Sequence, residues 1–457
     1  MNILIITTHF PPDSSIGAVR PYMFAKYLLQ FGHQVTVLRS GEFYRQPDHS
    51  YPPLEGLRVI SYLGENSPAE VYSRGGEVSY EPGKSPISFL PPAIRFPIAK
   101  IYHTWFKPVD VIRRVRAAKA RFAEQKQALD KLRGERFDVV FATFPSIQNF
   151  WAGAYAAELF GSKWIMDLRD PIVPSSDYRG LSRIILEHIQ DRALKQADAF
   201  TVASDGMRSS TPGLRKFSNK VYRIYNGYDP LPGTFQDPGP SPGVFSVCYT
   251  GSIFEKRTSV PLLRALRQLS EQGRIQLDRV RLEYAGPDFD FFRTEAEAAH
   301  MECILSDHGY VTREEAARIQ GRSDIFLLLS WNTKGQLGML SGKFYEGIRA
   351  SKPILAIVAG DVPNSELYQI NQRFHYGFCY EEGRDAELFP QLCDFLLQAY
   401  TQKMERGAVD YAPSAELSTH FRYDTLTRQL ESLCKKLVYG EAADNSDTDG
   451  GGQLDGR

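Results

Sequence analysis

Two runs of alternating strand and helix signals, separated by a stretch of proline and glycine, set the tightest limit on how this chain can fold. The first run opens with an apolar strand, Ile3 to Thr7, and a Pro/Gly/Ser loop. A helical stretch from Val19 to Gln30 follows, stopped at Gly32, and then the strand Gln34 to Leu38. Further strands read at 138–143, 164–168, 199–203 and 221–225, with helices at 147–160, 180–197 and 205–213. Residues 41–98 are rich in Pro, Gly, Ser and Tyr and give only one strand signal, Leu57 to Leu63. Residues 230–243 hold five prolines and three glycines, which marks a linker. The second run places strands at 245–250, 280–285, 308–311, 325–329, 354–358 and 376–380. Its helices read at 258–272, 290–299, 312–321, 341–350 and 386–404, with a final helix at 415–438. Continuous apolar strands joined by helices demand parallel sheets covered on both faces. The expectation is therefore an α/β chain of two doubly wound halves, 1–230 and 231–410. A closing helix in 411–440 is expected to cross back to the first half, ahead of a disordered tail, 441–457.

Lys plus Arg number 54 and Asp plus Glu 54. A net charge of zero excludes a uniformly basic, nucleic-acid-coating surface. The neutrality is an average, however. Residues 100–136 carry eleven cations against four acids, and the tail from Glu441 is acidic. The basic stretch, with Ile101, Tyr102, Trp105 and Phe106 at its start, suits an anionic membrane surface as well as a solvated helix. The five cysteines are scattered without metal or redox spacing, which fits a reducing cytoplasm. Neither a signal peptide nor a run of ~18 apolar residues is visible. The location expected is cytoplasmic, with peripheral contact at the inner face of the cell membrane.

Four loops carry chemistry. Gly17 precedes a helix with Arg20 in its early turns, an arrangement that suits an anion but lacks the three-glycine dinucleotide fingerprint. Asp167-Leu168-Arg169-Asp170 gathers charge at a strand's carboxyl end, where open α/β sheets hold ligands. Gly251 and Ser252 turn toward Lys256 and Arg257, two cations able to clamp a diphosphate. Gly335 to Glu346 is glycine-rich and enters a helix through Ser341, Gly342 and Lys343. Amides there can cradle phosphate, and Glu346, one turn inside, can accept both hydroxyls of a ribose. Asp288-Phe289-Asp290 matches a metal-holding pair in composition, but it sits in the wrong kind of loop, and no metal is expected.

In their order along the chain these segments resemble glycosyltransferase family 4, of the two-Rossmann GT-B architecture. The resemblance rests on Phe10-Pro11-Pro12 with Gly17 and Arg20, on Gly32 to Leu38, and on Asp167 to Pro171. It continues through Ile224 to Asp229, Tyr249 to Ser252, Gly309-Tyr310-Val311 with Arg313 and Glu314, and Gly342 to Glu346 followed by Lys352 to Leu355. It implies retaining transfer from a nucleoside-diphosphate sugar to a glycan or lipid-linked acceptor, without cofactor or metal, as in bacterial surface polysaccharide or glycolipid synthesis. The donor would bind the second half and the acceptor the first. Glu346 would hold the ribose, and Tyr310 and Val311 would meet the base. Lys256 or Arg257, with the amides of Ser341 to Lys343, would stabilise the leaving diphosphate, with Gly17 approaching from across the cleft. Two departures stand out. The first glutamate of the family's Glu-x7-Glu pair is Gly338 here, and Arg169-Asp170 replaces a common histidine, so Asp170 takes its orienting role and Arg169 and Arg20 the acceptor side. A sugar-nucleotide epimerase on the same fold and a catalytically degenerate nucleotide-sugar-binding subunit are the alternatives.

Overall fold

The computed structural model describes residues 1–41 except 14, 51–63, 107–170 except 145, 180–230, and 242–440 except 254, 255, 335, 336 and 339. Much of 41–98, the apolar start of the basic stretch, the linker at 231–241 and the acidic tail lie outside these residues. Two all-parallel sheets organise the rest, with seven and six strands.

The first sheet contains β1 (Asn2–Ile6), β2 (Gln34–Arg39), β3 (Arg58–Ser61), β4 (Val139–Thr143), β5 (Lys163–Leu168), β6 (Ala199–Val202) and β7 (Val221–Arg223), ordered β3-β2-β1-β4-β5-β6-β7. Its helices are α1 (Val19–Gln30), α2 (Lys107–Asp130), α3 (Ile147–Phe160), α4 (Gly180–Gln196) and the short α5 (Asp205–Ser210). The second sheet contains β8 (Phe245–Thr250), β9 (Val280–Ala285), β10 (Leu305–Asp307), β11 (Ile325–Trp331), β12 (Ile354–Ala359) and β13 (Gly377–Glu381), ordered β10-β9-β8-β11-β12-β13. Around it lie α6 (Val260–Glu271), α7 (Phe289–Ala299), α8 (Arg313–Arg322), α9 (Gly342–Ala350), α10 (Glu366–Phe374) and α11 (Asp385–Arg406), followed by α12 (Ala415–His420) and α13 (Tyr423–Tyr439). The central strands are buried almost end to end, because helices cover both faces.

Strand order reverses between β1 and β4 in one sheet and between β8 and β11 in the other. Loops leaving the carboxyl ends of such strands diverge and open a crevice. In the first sheet that crevice is floored by Thr8 Oγ1, which donates to Ser146 Oγ at 2.8 Å across the switch point. In the second it lies between Thr250–Ser252 and the loop before Gly342.

The chain's last helix does not stay with the second sheet. Helix α13 packs on α1, where His33 Nε2 and Glu431 Oε1 lie 2.9 Å apart. Tyr228 and Arg422 form a parallel bridge, with Tyr228 N–H donating to Phe421 C=O at 3.1 Å. Phe421 is fully buried and meets Tyr225, Phe344, Tyr345 and Phe374, so one aromatic cluster spans both halves.

Four elements differ from the sequence expectation. The strand expected at 308–311 lies at Leu305–Asp307, because Gly309 turns left-handed (φ +64°) and its N–H bonds the Asp307 carboxylate. The helix expected at 205–213 stops at Ser210, since Thr211 is held out of helical geometry before Pro212. The final helix breaks at Phe421 and Arg422, where the backbone extends to pair with Tyr228. Helix Glu366–Phe374 was not expected, although Ser365 caps it by accepting from Tyr368 N–H.

Candidate active site

The second half builds a cationic pocket from residues distant in sequence. Gly251, at φ +102°, leaves β8 directly over the Lys343 ammonium, and a Cβ there would collide with Nζ. Lys343 Nζ donates to Thr250 C=O and lies 5.2 Å from the centre of the Tyr249 ring. Arg257 sits over the Trp331 ring at 5.3 Å. Burial lowers the pKa of both cations; Glu346 acts against that on Lys343, and Tyr249 on Arg257. Arg257 itself depresses Lys343, so two like charges are held within electrostatic reach. Such a pair is relieved by an anion. Glu346 Oε2 accepts from Gln320 Nε2 at 3.1 Å, and Gln320 also donates to Thr250 Oγ1 at 2.8 Å. The buried amide of Gln320 thus fixes the carboxylate against the end of β8.

Helix α9 begins at Gly342, with Ser341 in extended geometry before it, so the first amides point out of the helix. Across the crevice, the loop after β1 brings up Ile16, which is 69% exposed; a methyl group on Gly342 would lie 3.7 Å from its Cδ1. The loop is shaped from below. Asp13 is buried, pairs with His9 Nδ1 at 2.6 Å and accepts from Ser15 N–H at 3.0 Å, and Ser15 Oγ accepts from Gly17 N–H. Arg169 at the end of β5 donates to Gly17 C=O (2.6 Å) and Phe144 C=O (2.8 Å). Beside it, desolvation raises the carboxyl pKa of Asp170, and the neighbouring Arg169 charge acts against that rise.

The structure thus gathers Gly251, Arg257, Ser341, Gly342, Lys343 and Glu346 on one wall, with Gly17, Arg169 and Asp170 on the facing side. Ser252 continues the Gly251 turn, its carbonyl accepting from Tyr249 O–H at 3.0 Å. Lys256 is exposed and left-handed (φ 71°) just before Arg257. Val311 packs against the core, while Tyr310 beside it is 76% exposed. Arg20 departs from its expected acceptor role. It is 2% exposed, and all five of its N–H groups bond inward, to Asp167, Ile224 C=O, Tyr225 C=O and Asn226. It is a strut under the cleft floor. Asp288 accepts from Ile253 N–H at 2.9 Å, and among the described residues no three metal-ligating side chains converge.

Sequence reasoning missed Gln320, whose role appears only when α8 lies beside α9. It also missed Glu366, at the start of α10, whose carboxylate accepts from the N–H groups of Asp205 (2.9 Å) and Gly206 (3.2 Å) in the first half. The run Ser365-Glu366-Leu367, with Ile370 and Phe374 at helical spacing, carried the signal for that helix.

Residues 17–227 match the model of the glycosyl transferase 4-like domain. The chain carries a family-4-like glycosyltransferase domain. The match covers the half built on the first sheet. The fold of the whole chain is GT-B. An E. coli trehalose-6-phosphate structure bound with UDP-2-fluoro glucose superposes with a TM-score of 0.59 at 10% identity, covering 95% of this chain and 99% of that one. The lipopolysaccharide outer core galactosyltransferase WaaB, in its apo form, gives 0.54 at 11% identity, with 97% and 100% covered. The Anabaena protein HepE in complex with UDP gives 0.51 at 12% identity, with 95% and 100% covered. At such identities the likeness speaks for the fold alone. No curated protein matches the glycosyltransferase in sequence.

Proposed function

We propose that this glycosyltransferase moves a sugar, with retention, from a nucleoside diphosphate to a glycan or lipid-linked acceptor during assembly of a bacterial cell-surface polysaccharide or glycolipid. The observation that carries the reading is the pairing of Arg257 and Lys343 beside the start of α9, with Glu346 one turn further in. Breaking the sugar–phosphate bond sends negative charge onto the departing diphosphate. Preset cations and helix amides stabilise that charge in the transition state more than in the ground state. Lys256 stands next to this group, at its solvent edge. Glu346, oriented by Gln320, takes the ribose hydroxyls, and Tyr310 and Val311 flank the base. Gly17 closes over the sugar from the other half. Arg169 holds that loop, and Asp170, with its raised pKa, orients the acceptor hydroxyl.

The test is a donor panel scored by nucleoside-diphosphate release in the presence of candidate acceptors. Glu346→Ala is expected to cut release by ~10–100-fold at donor levels below the wild-type KM, and Lys256→Ala combined with Arg257→Ala to abolish it, while circular dichroism stays native. Full turnover in both variants overturns the assignment. A specific observation favours the alternative of a nucleotide-sugar-binding subunit. A Cβ at Gly338 would lie 2.0 Å from Trp331 C=O, so no side chain can stand where the family's first glutamate does. Donor binding without release across the panel would select that alternative.

The acceptor side is read as peripheral to the inner face of a membrane. Helix α2 exposes Val109, Ile112, Arg113, Arg114, Arg116 and Lys119, and the adjoining α4 exposes Leu181 and Ile184. Exposed apolar groups among cations match an anionic lipid surface. Among the described residues no helix is long and apolar enough to cross a membrane.

A further inference from the structure

The first three amides of helix α5 are all satisfied, and two of them by the other half of the molecule. Ser204 Oγ accepts from Met207 N–H at 3.1 Å within the same half. Glu366 takes the other two, one carboxylate oxygen to Asp205 N–H and the other to Gly206 N–H. The halves also touch through bare backbone at this point, since a Cβ on Gly206 would lie 2.2 Å from Gly338 C=O. Gly338 belongs to the loop that leads into Ser341 and Gly342. Glu366 itself stands on a rigid base: Glu381, buried in β13, accepts from the N–H groups of Asn364 and Ser365 at 2.9 and 2.6 Å.

We propose that Glu366 is a positioning residue that latches the first half onto the donor half, seating α5 against the Gly338 loop and so holding the cleft closed. The geometry follows from the contacts alone; its importance for sugar transfer rests on the function proposed above. The carboxylate bridges two rigid elements, so α5 cannot lift from the loop without breaking both bonds. Gly206 is required at this seat because a side chain there would hold the halves apart, and Gly338 because a side chain there would collide with Trp331 C=O and displace the loop that α5 rests on.

The latch is also pH-sensitive. Glu366 faces Asp205 and Arg223 from the first half, Tyr225 from the segment that leaves it, and Tyr345 from α9. Burial, with the like charge of Asp205, raises its pKa from 4.5 to about 7, against the two N–H bonds and Arg223. The closed form therefore binds the proton more tightly than an open form in which the carboxyl is solvated. Linkage makes closure strongest below the open-form value and weakens it as pH rises through about 7.

Amide exchange of the peptide covering 204–210 reads the latch directly and needs no substrate. In the full-length protein, protection of the Asp205 and Gly206 amides is expected to rise roughly tenfold from pH 8 to pH 6 after correction for intrinsic rates. Glu366→Gln keeps an acceptor for Asp205 N–H but cannot titrate, so its protection is flat with pH. Glu366→Ala loses protection throughout, and Gly206→Ala loses it with α10 untouched. Wild-type protection in Glu366→Ala, or the wild-type pH slope in Glu366→Gln, overturns the proposal. A latch that behaves as stated in a protein that releases no nucleoside diphosphate would refute the proposed function and leave the latch standing.

Discussion

Replacing Arg20 by methionine separates a strut from an acceptor-binding residue. The methionine keeps most of the stem and removes five donors and the charge. Asp167, which is 0% exposed, is left with the hydroxyls of Thr143 (2.9 Å) and Thr201 (2.7 Å) as its side-chain partners. Removing one member of a buried ion pair costs ~3–5 kcal/mol, because the remaining charge has neither water nor a counter-ion. The carbonyls of Ile224 and Tyr225 lose donors as well, so the upper end of that range is expected. For a half of this size, each kcal/mol moves the melting point by roughly 2–4 °C. The variant should therefore melt ~6–20 °C lower by circular dichroism or calorimetry. Below that temperature its turnover should stay close to wild type. Adding Asp167→Leu should recover part of the loss, since no orphan charge remains. An unchanged melting point with collapsed turnover would refute the argument and return Arg20 to the acceptor site.

Three further outcomes follow from the geometry. Glu346→Ala should raise the donor KM by ~10–100-fold, the loss expected from hydrogen bonds to a charged group, in steady-state nucleoside-diphosphate release. Gly338→Glu, which restores the family's missing glutamate, should lower both melting point and turnover, because its Cβ has no room beside Trp331 C=O; a gain in turnover would show that the loop yields. Arg113→Glu with Arg116→Glu and Lys119→Glu should abolish co-sedimentation with anionic liposomes while sparing transfer to a soluble acceptor, and unchanged sedimentation would remove the membrane from the account.

The strands were legible because their burial is a local matter of composition. Phe245–Thr250 and Val280–Ala285 were read to the residue, the first as a run buried throughout and the second from its alternation of Val280, Leu282 and Tyr284 with Arg281 and Glu283. Chain ends of elements fixed by distant partners were not legible. Arg422 extends because Tyr228 is waiting for it, and nothing near Arg422 in sequence says so. The site divides in the same way. Lys343 and Glu346 lie one turn apart on one helix and could be paired on spacing alone. Thr250, Gln320 and Glu346 meet only after three segments fold together. Arg20 illustrates the opposite failure. A cation near a glycine loop reads as a ligand-binding group, yet Asp167, a carboxylate at the end of another strand, claims it for the interior.

The return of α13 to α1 bears on how such proteins can be recombined. An exchange of donor specificity invites cutting the gene at the linker and grafting a second half from a relative. Residues 421–439, although encoded at the far end, lie against the first half through Tyr228 and the His33–Glu431 contact. A graft cut only at the linker would replace the surface α1 is shaped to meet. A working chimera needs two junctions, one on either side of the second half, so that the last helix travels with the first half.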